Sequence, residues 1–246
     1  MFFGTSQQDK FIIHVLNNKK NGYFLEIGSG EAIFNNNTYL LETNFNWKGI
    51  MVDNNHYFIM SYRLFRTNSI HIMDDARKID YLKIFEENNF PRAIDYLHIA
   101  LDARTGSTIE TLHKLDHEVF DMYKFAIVTF QHTACYPGCA NTRIESRTIL
   151  KKRGYICVFE DINNEFNFPY EDWYVNPDLV NMNYINHLIE NNKTKFIEHP
   201  ITEKTIYWRD IQYIEHVVEP ASEPAQEQAS EQASEPAQEQ ASEPAQ

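Results

Sequence analysis

Tyr23-Phe24-Leu25-Glu26-Ile27 breaks at once into Gly28-Ser29-Gly30-Glu31-Ala32, and further on Gly49-Ile50-Met51-Val52 ends in Asp53. The first run is short, apolar and aromatic, the pattern of a buried strand bounded by a turn signal. A strand, a small-residue turn, an intervening helix and a second strand tipped with a carboxylate make half of a nucleotide-binding α/β sheet. Glycines at 28 and 30 permit a sharp turn and close backbone approach to a ligand, where a Cβ would collide. Asp53 is placed where a carboxylate can accept both hydroxyls of a ribose. Glu26 lies inside the first strand, facing the turn. Glu26, Gly28, Gly30 and Asp53 are therefore the first candidate cofactor-binding residues.

The nucleotide is narrowed by what the stretch lacks. A dinucleotide fingerprint needs G-x-G-x-x-G opening a helix, so that the pyrophosphate rests on the helix N-terminus. Position 33 is Ile33, and Phe34-Asn35-Asn36-Asn37 is a poor helix start. A Glu-x-Gly-x-Gly strand end with no phosphate-binding lysine fits S-adenosylmethionine better than NAD or ATP, because that cofactor carries adenosine and an amino acid but no phosphate. The competing reading is a strand and glycine turn that binds nothing.

At 246 residues and 43% hydrophobic composition the chain can bury one sizeable core. The net charge is −13, but residues 219–246 are seven tetrapeptides of the form Glu-(Pro/Gln)-Ala-(Ser/Gln), with seven glutamates and no basic residue. Residues 1–218 thus carry about −6 and form one α/β domain. Without clustered excess Lys and Arg, a duplex nucleic-acid partner is not expected. The tail lacks aromatic and β-branched residues and is expected to be disordered, as a spacer or an interaction segment. No apolar run reaches membrane-spanning length, no secretory signal opens the chain, and three cysteines do not suggest a disulfide framework. Those features predict a cytoplasmic protein with no membrane partner.

Further along, helices are expected over 7–16, from about Asn37 to Glu42, over 57–65 and over 79–88. A third strand, Ser69–Met73, runs into Asp74-Asp75. Carboxylates there can hold an adenine amine, so Asp75, or Asp74, is a further cofactor candidate; the alternative is an N-cap for a helix beginning near Arg77. Ile94–Leu101 is an almost continuously apolar fourth strand that ends at Asp102, next to the switch point where ligands bind in such sheets. Asp102 is therefore a candidate substrate or catalytic carboxylate. Ser107, Thr108 and Glu110 form a capping-box-like start to the next helix. Lys124–Phe130 is a fifth strand, delivering Gln131 and His132 to the same edge.

From Ser6 through Trp173 the chain resembles the FkbM-like class I methyltransferases, in particular a branch found in large viruses and marine microbes. The resemblance is carried by Gln8-Asp9-Lys10-Phe11, Gly22 through Gly28, Asn37 through Glu42, Trp47 through Asp53, Ile94 through Leu97 with Asp102, Arg153-Gly154-Tyr155, Glu171 through Val175, and Pro177 through Val180. It implies a Rossmann-like three-layer sandwich with a mostly parallel seven-stranded sheet, S-adenosylmethionine as methyl donor, and O-methylation of a hydroxyl on a sugar or small molecule. For a viral source it implies residence in host cytoplasm or virion. Two departures stand out. Asp102-Ala103-Arg104-Thr105-Gly106 replaces the acidic pattern that usually follows the fourth strand, and Gln131-His132-Thr133 replaces a glutamate before histidine. They favour, as the alternative, an inactive descendant that binds ligand without turnover. A nucleotide-sugar-modifying enzyme of another kind is a weaker third reading.

Methyl transfer needs an aligned acceptor oxygen about 3 Å from an already activated methyl carbon. A base helps when the acceptor is an alcohol, and His132, with an ordinary pKa of about 6.5, is the candidate, Asp102 orienting it or the substrate. His132, Cys135 and Cys139 have a spacing that could ligate zinc, yet Tyr136-Pro137-Gly138 reads as a turn, so free thiols are expected and no metal. The helix over 141–153 carries Arg143, Arg147, Lys151, Lys152 and Arg153, either a solvated face or a surface for an anionic substrate. Gly154 stops it before a sixth strand at 155–160. Glu171-Asp172-Trp173-Tyr174 is expected to be a loop that lids the crevice or joins the core. A helix over 179–190 and a last strand over 205–208 complete the domain.

Overall fold

The computed structural model describes residues 2–163, 168–192, 197–199 and 202–205. Apolar runs bounded by glycine, asparagine and charged residues become the strands β1 (Tyr23–Ile27), β2 (Lys48–Asp53), β3 (Ile70–Met73), β4 (Ala93–Ile99), β5 (Lys124–Gln131), β6 (Ile156–Asn163) and β7 (Pro169–Val175). They form one sheet in the order β3-β2-β1-β4-β5-β7-β6, parallel except for β7, which lies antiparallel between β5 and β6. This is the mostly parallel seven-stranded sheet with helices on both faces that the resemblance implied. The order reverses between β1 and β4, so loops diverge there and leave a crevice at the carboxyl edge.

Side-chain alternation sends each strand's apolar residues to two separate cores. On one face Leu25, Ile27, Val52, Ile99 and Val128 pack with Tyr81 and Phe85 of α4 (Tyr81–Glu87), Leu112 and Leu115 of α5 (Ser107–Glu118), and Leu150 of α6 (Ala140–Lys152). On the other, Phe24, Met51, Tyr96, Ile127 and Trp173 pack with Phe11 and Ile12 of α1 (Gln8–Val15), Leu41 of α2 (Tyr39–Phe45), Tyr62 of α3 (Ile59–Phe65), and Ile185 and Leu188 of α7 (Met182–Asn192). β8 (Ile197–His199) and β9 (Thr202–Thr205) make a separate two-stranded sheet. No helix among the described residues is long and apolar enough to cross a membrane.

Several sequence expectations need correction. Glu171-Asp172-Trp173-Tyr174 is no loop. It lies within β7, every residue of which is buried, with Gln131 paired to Glu171 and Thr129 to Trp173. The two acids hid a core strand because both are satisfied internally rather than by water. The helix expected over 79–88 is present as α4, but its cap is neither Asp74 nor Asp75: the Asp80 carboxylate accepts from the Lys83 amide. The helix expected over 57–65 is a 3-10 turn at His56–Phe58 followed by α3. Ser107 and Glu110 make no capping box: Gly106 precedes α5 without a side-chain cap, and Glu110 accepts from Arg77 instead. Most of the last strand expected over 205–208, and the tail at 219–246, lie outside the described residues.

Trp173 is fully buried between the rings of Phe11, at 4.8 Å, and Phe159, at 5.8 Å. Trp173→Ala is therefore expected to cost about 3–5 kcal/mol in urea unfolding. A cost under about 0.5 kcal/mol, as for a surface side chain, would contradict a core strand here.

Candidate cofactor and acceptor site

The segment after β1 contains no helix until Tyr39, so its backbone polar groups need side-chain partners. Glu26 supplies them from inside β1, accepting from the Asn36 side-chain amide at 3.2 Å, the Asn37 backbone N–H at 3.2 Å and the Thr38 hydroxyl at 2.7 Å. Arg66, at the end of α3 and fully buried, donates to Glu42 at 2.9 Å, to the Ala32 carbonyl at 3.1 Å, to Asn36 at 2.8 Å and to Thr38 at 2.6 Å. Burial pushes the Glu26 carboxyl above the ordinary glutamate range, with Arg66 and the three donors offsetting only part of that rise. Glu26 lines neither cavity of the crevice. It holds the loop from beneath, so its bearing on a cofactor runs through the shape of the turn.

Gly28 has φ +78°, and a Cβ there would lie 2.0 Å from the Ala100 carbonyl oxygen, so the β1 and β4 termini can approach only through glycine. Gly30 has φ +58° and faces open space. Its N–H donates to Asp53 Oδ2 at 2.8 Å, and the Asn55 N–H donates to Asp53 Oδ1 at 2.8 Å. Two backbone donors fix this carboxylate at the tip of β2. Each oxygen keeps a lone pair for an incoming hydroxyl.

Two cavities flank this turn. One, of about 340 Å³, is lined by Asp53, Asp74, Asp75, Leu101 and Asp102 among others. The other, of about 330 Å³, is lined by Gly28, Asn37, His98, Gln131, Tyr170 and Glu171 among others. Asp75 is gripped by Arg77, whose guanidinium donates to both carboxylate oxygens and holds the group at about 2. It also accepts from the Arg77 N–H, so it caps the turn before α4 while still facing the first cavity. Asp102 is paired in the same manner with Arg104, which holds its carboxyl below the usual range. Asp102 borders the cavity of Asp53 and Asp75 and is absent from the lining of the second one.

His132 does not meet Asp102. It is fully buried and lines neither cavity. Its Nδ1 accepts from the Ala134 N–H at 3.0 Å, which places the ring hydrogen on Nε2, 3.4 Å from oxygens of Asp161 and Asp172. A ring so enclosed has no path to an acceptor, which corrects its reading as the base. His132, Asp161 and Asp172 have ligand atoms within 4.8 Å of one another. The donor set does not fit a metal, because Nε2 offers a hydrogen rather than a lone pair and arginines already neutralise the carboxylates. Arg147 donates to Asp172 at 2.7 and 2.9 Å and lies 3.1 Å from Asp161, to which Arg143 also donates at 3.0 Å. Burial would raise Asp172, but Arg147 and the nearby His132 outweigh it and hold the carboxyl far below its ordinary range. Cys135, Cys139 and Cys157 are free thiols.

The arginines of the basic helix are likewise spoken for, while Lys151 and Lys152 are exposed. Arg143 and Arg147 point into this cluster, and Arg153 pairs with Asp116 and Asp121. Its arginines therefore offer no anion-binding surface.

The second cavity holds what sequence reasoning missed. His98 is buried near the carboxyl end of β4 with Nδ1 2.6 Å from the Thr129 hydroxyl, and burial pushes it down to about 3, so it is neutral near pH 7. Glu171 accepts from Trp173 Nε1 at 2.6 Å and from Gln8 Nε2 at 3.1 and 3.2 Å. Burial pushes its carboxyl up to about 8, and Asp172 adds to the rise. A histidine inside an apolar strand and an acid inside an aromatic run were the available signals.

No protein-family model matches the chain, and no curated protein matches it. Solved structures similar to it include a methyltransferase from Pyrococcus furiosus, at 16% identity and TM-score 0.45 over 70% of this chain and 83% of that one. The METTL16 MTase domain is similar at 11% identity and TM-score 0.48, over 69% and 66%. The plantazolicin methyltransferase BamL, in complex with a triazolic desmethylPZN analog and SAH, is similar at 10% identity and TM-score 0.45, over 70% and 84%. At such values the fold assignment rests on the strand order itself.

The folded protein holds the Glu171 proton at about 8 against an ordinary 4.5. The folded state thus binds more protons than the unfolded chain across that window. Stability contributed by this group is full below about pH 4.5 and declines toward pH 8, by up to about 1.4 kcal/mol per pH unit. In urea unfolding between pH 5 and 8, Glu171→Gln is expected to lose that part of the slope. An unchanged slope would show that Glu171 titrates normally.

Proposed function

We propose that the protein is an S-adenosylmethionine-dependent methyltransferase of the FkbM-like kind, transferring a methyl group to a hydroxyl of a sugar or other small molecule. The observation that carries the reading is the Asp53 carboxylate, fixed by the Gly30 and Asn55 amides beside a crevice with no free cation to bind phosphate. The first cavity's arginine, Arg77, is engaged by Asp75 and Glu110, and no lysine or arginine lines the second. A nucleoside without phosphate suits such a crevice; NAD or ATP does not. The adenosine would sit against Asp53, with Asp74 or Asp75 toward the adenine amine and Asp102 at its border. The methionyl part would pass Gly28 toward the second cavity, where the acceptor would lie.

In that arrangement the chain's own residues do three things. Asp53 orients the ribose through two hydroxyls. The Gly28 turn lets the backbone approach the cofactor. The second cavity is lined by Asn35, Asn37 and Gln131, whose amides can fix hydroxyl groups by donating and accepting at once, while the Gln8 amide is engaged by Glu171 and the Ser6 N–H. When bound, the cofactor supplies the activated methyl; alignment of the acceptor oxygen supplies much of the acceleration. The inactive-descendant reading drew on missing acids, but Glu171 brings a carboxyl to the second cavity from a strand that the family pattern did not single out.

Calorimetric titration tests the reading. Micromolar binding of S-adenosylmethionine, no binding of NAD, and loss of at least about tenfold affinity in Asp53→Ala are the expected results, tenfold being about 1.4 kcal/mol, near the worth of one charge-assisted hydrogen bond. Equal affinity in Asp53→Ala would overturn the cofactor placement. Turnover with sugars and small alcohols then separates an active enzyme from a binding module.

A further inference from the structure

Glu171 is the one carboxyl among the residues lining the second cavity, and its side chain is almost sealed from bulk water. Gln8 Nε2 reaches both of its oxygens, and Trp173 Nε1 holds Oε1. The charged and titratable groups around it are Asp172 and Tyr170 on β7 and Tyr96 and His98 on β4, while α1 presents Gln8 with Asp9 beside it and β5 presents Gln131. The charge of Asp172 is countered by Arg147, and His98 is held neutral by burial. Asn37 Oδ1, buried at the same cavity, has no hydrogen-bond partner and awaits a donor such as a hydroxyl or an ammonium. Gly28 and Glu171 share this one cavity, so a sulfonium carried past Gly28 enters the field of the carboxyl in a low-dielectric setting.

We propose that Glu171 is the catalytic carboxyl that receives the acceptor's proton, and that the sulfonium itself activates it by displacing the proton it holds in the cofactor-free protein. The proposal rests on the methyltransferase reading. On cofactor binding, the positive sulfonium favours the ionised form and Glu171 releases its proton to solvent. The acceptor oxygen then attacks the methyl carbon. A C–O bond forms, the S–CH3 bond breaks with its electron pair going to sulfur, and the O–H proton passes to the Glu171 carboxylate. The products are a methyl ether, a neutral thioether and a protonated Glu171, the state in which the cycle began. With the positive charge gone, the protonated acid no longer favours the cofactor, which aids release of S-adenosylhomocysteine.

The proton count on binding tests this without knowledge of the acceptor. Calorimetry at pH 7 in two buffers of different ionisation enthalpy is expected to show release of between about half and one proton per S-adenosylmethionine bound and none per S-adenosylhomocysteine. Glu171→Gln is expected to bind S-adenosylmethionine with no release. Binding to the unaltered protein without release, or the same release from Glu171→Gln, overturns the proposal. Failure of the unaltered protein to bind S-adenosylmethionine at all overturns the methyltransferase reading and this proposal with it. If Glu171→Gln does not fold, infrared difference spectra of the unaltered protein decide: a protonated-carboxyl band lost on adding S-adenosylmethionine but not S-adenosylhomocysteine supports the proposal, and an unchanged band refutes it.

Discussion

The buried guanidinium of Arg66 is the interaction on which the crevice depends. The chain after β1 forgoes the helix that would satisfy its backbone, and Ile33-Phe34-Asn35-Asn36-Asn37 instead wraps as an irregular loop. Arg66 and Glu26 substitute for the missing helix, one donating four hydrogen bonds and the other accepting three. Burying both charges is costly unless every lone pair and hydrogen finds a partner, and here the asparagines and Thr38 provide them. With that loop fixed, Gly28 and Gly30 lie open to the crevice, and Gly30 in turn fixes Asp53.

A second consequence concerns charge. The acids and bases of the carboxyl edge are sorted into closed pairs: Asp75 with Arg77, Asp102 with Arg104, Asp161 and Asp172 with Arg143 and Arg147. What remains for a ligand is Asp53, with Asp74 in the same cavity, on one side of Gly28 and a set of amides with Glu171 on the other. Such a crevice offers phosphate no unpaired cation among the described residues, and the proposed reading of a cationic, hydroxyl-bearing nucleoside draws on that. His132 belongs to the closed pairs, which is why a histidine at a strand end served here as an anchor between β5, β6 and β7.

The sheet was largely legible in the sequence because its first five strands are apolar runs with clear punctuation, and helices alternate between them. Gly28 and Asp53 were legible for the same reason: their chemistry is local, a turn that needs positive φ and a strand tip. β7 was not, because Glu171 and Asp172 interrupt its apolar pattern and are satisfied by Gln8 and Arg147, which are far away in sequence, and by the Trp173 indole on the same face of the strand. The pairings of His132 and of Asp102 were illegible on the same ground. Both stand where a fold of this kind offers residues to a ligand, but Ala134, Arg104 and the Asp161–Asp172 pair had already claimed them, and only three-dimensional packing reveals that.

The central claim is that the crevice places adenosine against Asp53 and directs the sulfonium past Gly28 toward Glu171. A crystal structure of the protein with S-adenosylhomocysteine tests it most directly. The account predicts both ribose hydroxyls on the Asp53 carboxylate, the adenine beside Asp74 and Asp75, and the sulfur opening onto the cavity of His98, Gln131 and Glu171. A nucleoside bound elsewhere, or its sulfur turned away from Glu171 toward Asp102, would contradict it.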